Sequence, residues 1–243
     1  MNVSSQDSSP FAATRWSIVT HAVARAGLAP RDAFAELCLR YAFPVYAYVR
    51  RSGHAPAAAH DITRAFLGDL MNLFREPVEP LAGRRFRRFL LERLDAFLRG
   101  ERRDPSESAF DPWLPVADVE VRYAQECAAT PSAEQAFQRA FALEVLARAL
   151  RRLAAEAEET DHVDMYRALS PFLARDPGAG ECDALAATLG MRTLTITVAL
   201  KRLRQRFREL AGEELADTVA AAEELAGEQD ALHAIMREDG PAS

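Results

Sequence analysis

The sequence is nearly devoid of lysine: Lys201 is its only one, and every other cationic side chain apart from histidine is arginine. Glycine is also scarce, at 11 of 243 residues. No stretch alternates apolar and polar residues with the β-branched enrichment of a strand, which argues against a sheet-based fold. The three cysteines, Cys38, Cys127 and Cys182, lie far apart without a C-x-x-C pair, so neither a disulfide framework nor a zinc site is expected. No apolar run approaches the ~18–20 residues of a membrane span. The opening residues MNVSSQDSSP lack the basic and apolar regions of a secretory signal, and the expected location is the cytoplasm. Five dispersed histidines include no H-x-x-x-H pair; His60 beside Asp61, and His162 near Asp164, are the places where a ligand or base can be argued. The expectation is a protein that is not an enzyme, holds no metal or cofactor, takes no small-molecule substrate and spans no membrane.

What the chain does have is alanine, leucine and helical spacing. With 49% hydrophobic and 27% charged residues it reads as a folded, all-α protein. Residues 11–27 form a first amphipathic segment. Residues 31–51 form a second, with Phe34, Leu37, Tyr41, Val45 and Tyr48 on one face and Pro44 expected to kink or split it. Ile62, Phe66, Leu70 and Leu73 give a stripe to residues 56–74, and Phe86, Leu90, Leu94 and Phe97 give one to residues 84–103. Residues 104–135 hold four prolines and seven acids with little periodicity, so a polar linker is expected over 104–133, with Phe110, Trp113 and Tyr123 as places where it can be partly ordered. It separates a helical module at 11–103 from a second at 134–212. That second module has helices over 134–157, about 161–174, 182–189 and 193–211, followed by an acidic helical tail at 213–243.

The net charge of −6 conceals an uneven distribution. Residues 213–243 hold nine acids against one base, leaving residues 1–212 with a net +2. Residues 191–208 carry six bases and no acid; residues 84–103 carry eight bases against three acids. Arginine offers a planar fork of donors suited to phosphates and guanine edges.

The stretch CDALAATLGMRTLTITVALKRLRQRFREL has the spacing of a helix-turn-helix, making the C-terminal module one of this type. Ala186 is small where the helices approach, Gly190 suits a turn with positive φ, and Ile196 would lock the second helix on the first. Leu185, Leu189, Val198, Ala199, Leu203 and Phe207 supply the other apolar positions. Arg192, Thr193, Thr195, Thr197, Lys201, Arg202 and Arg204 are then presented to solvent, where they suit base edges and phosphates. An ordinary helical hairpin with a solvated basic face reads the same residues more blandly. In the other basic segment, Phe86, Phe89 and Phe97 are interleaved with Arg84, Arg85, Arg87, Arg88, Arg99, Arg102 and Arg103. Either the aromatics stack on unpaired bases while the cations hold phosphates, or the aromatics are core and the arginines its wet face.

Two basic helical modules in this order resemble a bacterial RNA polymerase sigma factor of the extracytoplasmic-function (ECF) type. The sequence is most similar to the ECF-like group that opens with F-x-x-T-R-W-S, here Phe11, Thr14, Arg15, Trp16 and Ser17. Further shared motifs are Tyr41 to Arg51, Arg84 to Leu91, and Leu189 to Leu210 in the helix-turn-helix. The resemblance covers about residues 11–225. It implies a factor that binds RNA polymerase core and directs initiation at promoter DNA. The helix around Asp61–Leu73, with Asp61, Thr63, Phe66 and Leu70, would meet the polymerase clamp. The 84–103 helix would recognise and help melt the minus-ten element, and the 193–208 helix would read the minus-thirty-five element. A stand-alone helix-turn-helix regulator acting without polymerase is the alternative.

Departures from the family pattern point to regulation. The acidic D-A-E-D motif of the polymerase-binding helix reads Ala58-Ala59-His60-Asp61 here, and the family's glutamine is Arg64. Related groups lacking these acids look to be switched on by a Ser/Thr protein kinase acting on a threonine of this helix, a place that Thr63 occupies. A phosphate adds roughly −1.5 to −2 charges, enough to replace the missing acids; the plainer reading is an ordinary helix threonine near Asp61. The acidic tail either folds back on the basic recognition helix or is a solvated extension.

Overall fold

The computed structural model describes residues 30–73, 86–100 and 115–216. Residues 1–29, 74–85, 101–114 and 217–243 lie outside the described part. With them lie the F-x-x-T-R-W-S motif, Arg84, Arg85, Arg102, Arg103 and most of the acidic tail. Every regular element among the described residues is helical, as the periodicity predicts. Eight α-helices are α1 (Pro30–Arg51), α2 (Pro56–Leu73), α3 (Phe86–Leu98), α4 (Val116–Glu126), α5 (Ala133–Glu159), α6 (Val163–Leu169), α7 (Glu181–Leu189) and α8 (Thr193–Ala216). A 3₁₀ turn, Ser170–Phe172, follows α6. No single helix among the described residues is long and apolar enough to cross a membrane.

Contacts divide the chain into two units, with the boundary between Phe141 and Ala142, inside α5. In the first unit, α1 is buried on nearly all sides from Tyr41 to Val49, as expected of a helix apolar all round. It packs on α2, and α2 on α4. The Tyr41 ring stacks with Phe137 and Phe141 at 6.4 and 5.5 Å. Phe66 meets Phe97 edge-on at 5.5 Å. Helix α1 runs unbroken through Pro44, so this proline does not split the helix.

The polar-linker expectation is corrected for its described part. Residues 116–126 form α4, whose Val119 and Tyr123 are buried. Glu120 takes both nitrogens of a fork from Arg50 (2.8 and 2.7 Å) and the Tyr46 hydroxyl (2.6 Å). The Arg122 guanidinium lies 3.8 Å from the centre of the Phe43 ring. The Arg50 hydrogen bonds hold the Glu120 carboxyl below its usual range against the opposing effect of burial, and the Tyr46 hydroxyl adds to the lowering. Burial, and then Glu120, raise the Tyr46 phenol, which stays protonated and donates.

In the second unit, Leu169, Phe172, Ala186, Ile196 and Leu200 form one buried cluster, with Leu185, Leu189 and Leu203 packed on it. Each fully buried aliphatic side chain here contributes about 1.5–3 kcal/mol. Ion pairs tie α8 to α5: Arg206 grips Glu156 (2.9 and 2.6 Å), and Arg152 reaches Glu213 (2.5 Å) and Glu214 (3.1 Å). Sequence composition starts the acidic tail at residue 213. Its first residues instead belong to α8, and these two glutamates serve the fold.

Candidate nucleic-acid interface

Helices α7 and α8 meet at a bend of 102° across the three residues Gly190–Arg192. This is the geometry of a helix-turn-helix, whose helices cross at about 90–120°. The turn follows from one residue. Gly190 has φ 64° and ψ 30°, a left-handed conformation in which any other side chain is strained. That conformation lets the Met191 N–H donate to the Ala186 carbonyl (2.9 Å) and the Gly190 N–H to the Ala187 carbonyl (3.4 Å), closing the end of α7. Beyond it, the Thr193 hydroxyl donates to Asp183 (2.6 Å), tying the start of α8 back to α7. Ile196, fully buried, and Ala186, 4% exposed, make the close approach that the spacing predicts.

A second set of contacts fixes the corner from behind. Arg204 donates to the Phe172 carbonyl (3.0 and 2.8 Å), the Arg175 carbonyl (2.6 Å) and the Asp176 carboxylate (2.7 Å). Arg175 forks onto Glu181 at 2.7 and 2.9 Å. This fork, and then the Gly178 N–H, push the Glu181 carboxyl down to about 2.

These contacts sort the expected DNA-facing residues of α8. Arg204 is corrected: it is half-buried and holds the 172–176 loop. Thr193 and Thr197 are exposed but already donate, to Asp183 and to the Thr193 carbonyl (3.1 Å). Thr195 is exposed. Arg192, Lys201 and Arg202 are exposed and have no ion-pair or hydrogen-bond partner among the described residues. Val198, expected inside, is 42% exposed, and Leu194 is 74% exposed. Both lie two residues from buried Ile196, about 200° around the helix from it. Apolar side chains at such positions suit thymine methyl groups. The turn residue Arg192 and the first half of α8 therefore offer three exposed cations, a threonine hydroxyl and two apolar side chains, the cations and Thr195 without side-chain partners among the described residues.

The first unit's basic helix is built differently. Arg87 is only 8% exposed, stands 4.5 Å over the Phe141 ring and donates to Gln138 (3.1 Å). Arg87 is therefore a packing residue, not a DNA-facing one. Arg88 is exposed and pairs with Glu92 (3.2 Å); Arg93 pairs with Asp69 (3.5 Å). Arg99 is exposed and also has a partner. Phe89, Leu90 and Leu94 are buried, and Phe97 packs on Phe66. Of the two readings of these aromatics, core holds for Phe89 and Phe97.

Three of the four residues expected to bind polymerase are interior. Phe66 and Leu70 are core, and Thr63 is fully buried, its hydroxyl donating to the Ala59 carbonyl (2.8 Å). Their inward positions follow from the same spacing that gives α2 its stripe. Asp61 is exposed, 3.9 Å from His60, and shares the outer face with Ala57, Ala58 and Ala65. The Thr63 hydroxyl is out of a kinase's reach while α2 is folded.

No family model, curated protein or solved structure matches this chain.

Proposed function

We propose that this chain is a duplex-DNA-binding, helix-turn-helix transcription factor of the sigma type, which binds RNA polymerase core and directs it to a promoter. The observation that supports this reading best is the set Arg192, just before α8, and Lys201 and Arg202 in its first half: exposed cations whose side chains have no partner among the described residues. Free cations on a helix that a rigid corner holds out suit phosphates, while Thr195, Leu194 and Val198 suit base edges. The order of motifs from Tyr41 to Leu210 supports the polymerase partnership. On this reading the protein is not an enzyme and acts in the cytoplasm.

A second reading is a stand-alone regulator. It is favoured by α2, where Asp61 is the one exposed charged residue and Thr63, Phe66 and Leu70 lie inside. Phosphorylation of Thr63 by a Ser/Thr kinase would require α2 to open, so it is an event of the unfolded helix, not of a surface switch.

One experiment separates these readings. Duplex binding is measured by gel shift against salt, with and without core polymerase. Replacing Arg192, Lys201 and Arg202 by alanine should weaken duplex binding on the order of 100-fold and reduce the log–log salt slope by about 2.7. Unchanged affinity and slope would overturn DNA binding by this face. Specific binding that needs core polymerase supports the sigma reading; equal binding without it supports the stand-alone one.

A further inference from the structure

A groove of about 690 Å³ lies wholly within the second unit. Small-molecule sites occupy about 300–1,000 Å³ and are mostly apolar with a few convergent polar groups. Leu153 and Ala157 of α5, Met165 of α6, and Leu194, Val198 and Leu203 of α8 supply the apolar lining. Leu194 and Val198 are two of the four large hydrophobic side chains exposed among the described residues, so this wall leaves unusual apolar surface to solvent. The charges of the lining do not cancel. Apart from His162 they are Glu156, Arg202 and Arg206. Arg206 takes both oxygens of Glu156, at 2.9 and 2.6 Å. Arg202 is exposed, and its side chain has no partner among the described residues, which leaves one positive charge in excess. Two further donors face the same space: the Thr195 hydroxyl and that of half-buried Tyr166, both without partners among the described residues.

We infer that this groove binds a small amphipathic anion, a linear aliphatic chain with a carboxylate head. The order of residues along α8 sets its pose. Leu194, Val198 and Arg202 recur at every fourth position, so one side of the helix presents two apolar side chains and then a cation. From first to last they span roughly 12 Å at 1.5 Å per residue. The carboxylate meets the Arg202 fork, which takes both its oxygens, and the chain lies over Val198 and Leu194. Each end of the ligand answers a different part of the lining. A neutral apolar molecule leaves the Arg202 charge unmatched, and a bare small anion gains nothing from the apolar walls. Leu194, Thr195, Val198 and Arg202 also belong to the surface proposed to meet DNA, so the bound amphiphile keeps DNA from the start of α8. The ligand site stands independently of the proposed function, whereas this competition rests on it.

The test titrates the full chain with monomeric decanoate, octanoate, decanol and acetate, by calorimetry and methyl NMR. Decanoate is expected to saturate and to shift the methyls of Leu194, Val198 and Met165. Octanoate should bind on the order of tenfold more weakly, for two fewer buried methylenes. Decanol and acetate should each lose at least about tenfold. Arg202→Gln should weaken decanoate about tenfold and leave decanol unchanged. Ala157→Leu narrows the groove from α5, away from the DNA-facing residues, and should weaken decanoate while leaving duplex affinity in its absence unaltered. Saturating decanoate should weaken binding of a random duplex by roughly tenfold, within the usual range of coupling between sites. No saturable decanoate binding, binding that neither variant changes, or decanol binding as tightly as decanoate overturns the site. Binding to phosphatidylglycerol vesicles without binding of monomeric decanoate assigns the face to a membrane surface and overturns it. Methyl shifts that follow protein concentration and a doubled mass, not decanoate, assign the groove to a second copy and also overturn it. Decanoate bound at the groove with duplex affinity unchanged upholds the site and overturns the competition with DNA.

Discussion

The two basic helices, α3 and α8, look alike by composition and differ in what their cations touch. In α3, Arg87 is sealed against Phe141 and Gln138, while Arg88 and Arg93 are matched by Glu92 and Asp69. In α8, Arg204 and Arg206 are similarly committed, but Lys201 and Arg202, and Arg192 in the turn before the helix, have no side-chain partner among the described residues. The same residue type thus does two jobs, and density of charge does not tell them apart. A cation with partners inside the fold contributes to stability. One without them has its full field available to a ligand.

This contrast can be broken at several points. The largest effect is expected from Ile196→Ala, which removes the side chain that holds α8 on α7. The fully buried site should cost about 3 kcal/mol, read as faster hydrogen exchange across α7 and α8. DNA affinity would fall with it, because the free cations lose their scaffold. Next comes Arg87→Ala, expected to lower stability by about 2 kcal/mol through lost packing and an unpaired Gln138, with no change in the salt slope of DNA binding. Arg88→Ala, its neighbour and control, should change stability by less than about 0.5 kcal/mol, as exposed pairs do. If Arg87→Ala alters the salt slope instead of urea stability, the distinction between the helices fails.

A smaller effect tests α4. The folded Glu120 carboxyl titrates below its ordinary 4.5, chiefly through Arg50. A carboxyl lowered in the folded state contributes stability above its unfolded value, and that contribution is lost as pH falls through the folded one. Glu120→Gln should therefore cost about 1 kcal/mol near neutral pH and progressively less below about pH 4. Urea midpoints for both proteins across this range provide the check.

Parts of this were legible in the sequence because their causes are local. Gly190 is needed for a left-handed turn, and Ile196 six residues on reaches the first helix; spacing alone carries both. The role of Arg204 is not legible in the sequence, because its partners are carbonyls and a carboxylate of the Phe172–Asp176 loop, brought near only by the tertiary fold. Thr63, Phe66 and Leu70 were assigned to a surface by resemblance although their i, i+3 and i+4 spacing marks an inward stripe. Helix α4 was hidden among prolines and acids, with only Val119 and Tyr123, four residues apart, to signal a buried face. Leu194 and Val198 do carry a signal: they lie opposite Ile196 on a 3.6-residue helix.

The freedom of Arg192, Lys201 and Arg202 has an evolutionary consequence. Because no described residue depends on them, each can be exchanged with little effect on folding, since surface changes away from such features are usually within about 0.5 kcal/mol. Gly190, Ile196 and Arg204 have no such latitude. The corner is thus a socket that tolerates little change, and the side chains it displays are interchangeable parts. On the proposed function, new DNA preferences can be sampled on it one substitution at a time, without a passage through unfolded intermediates.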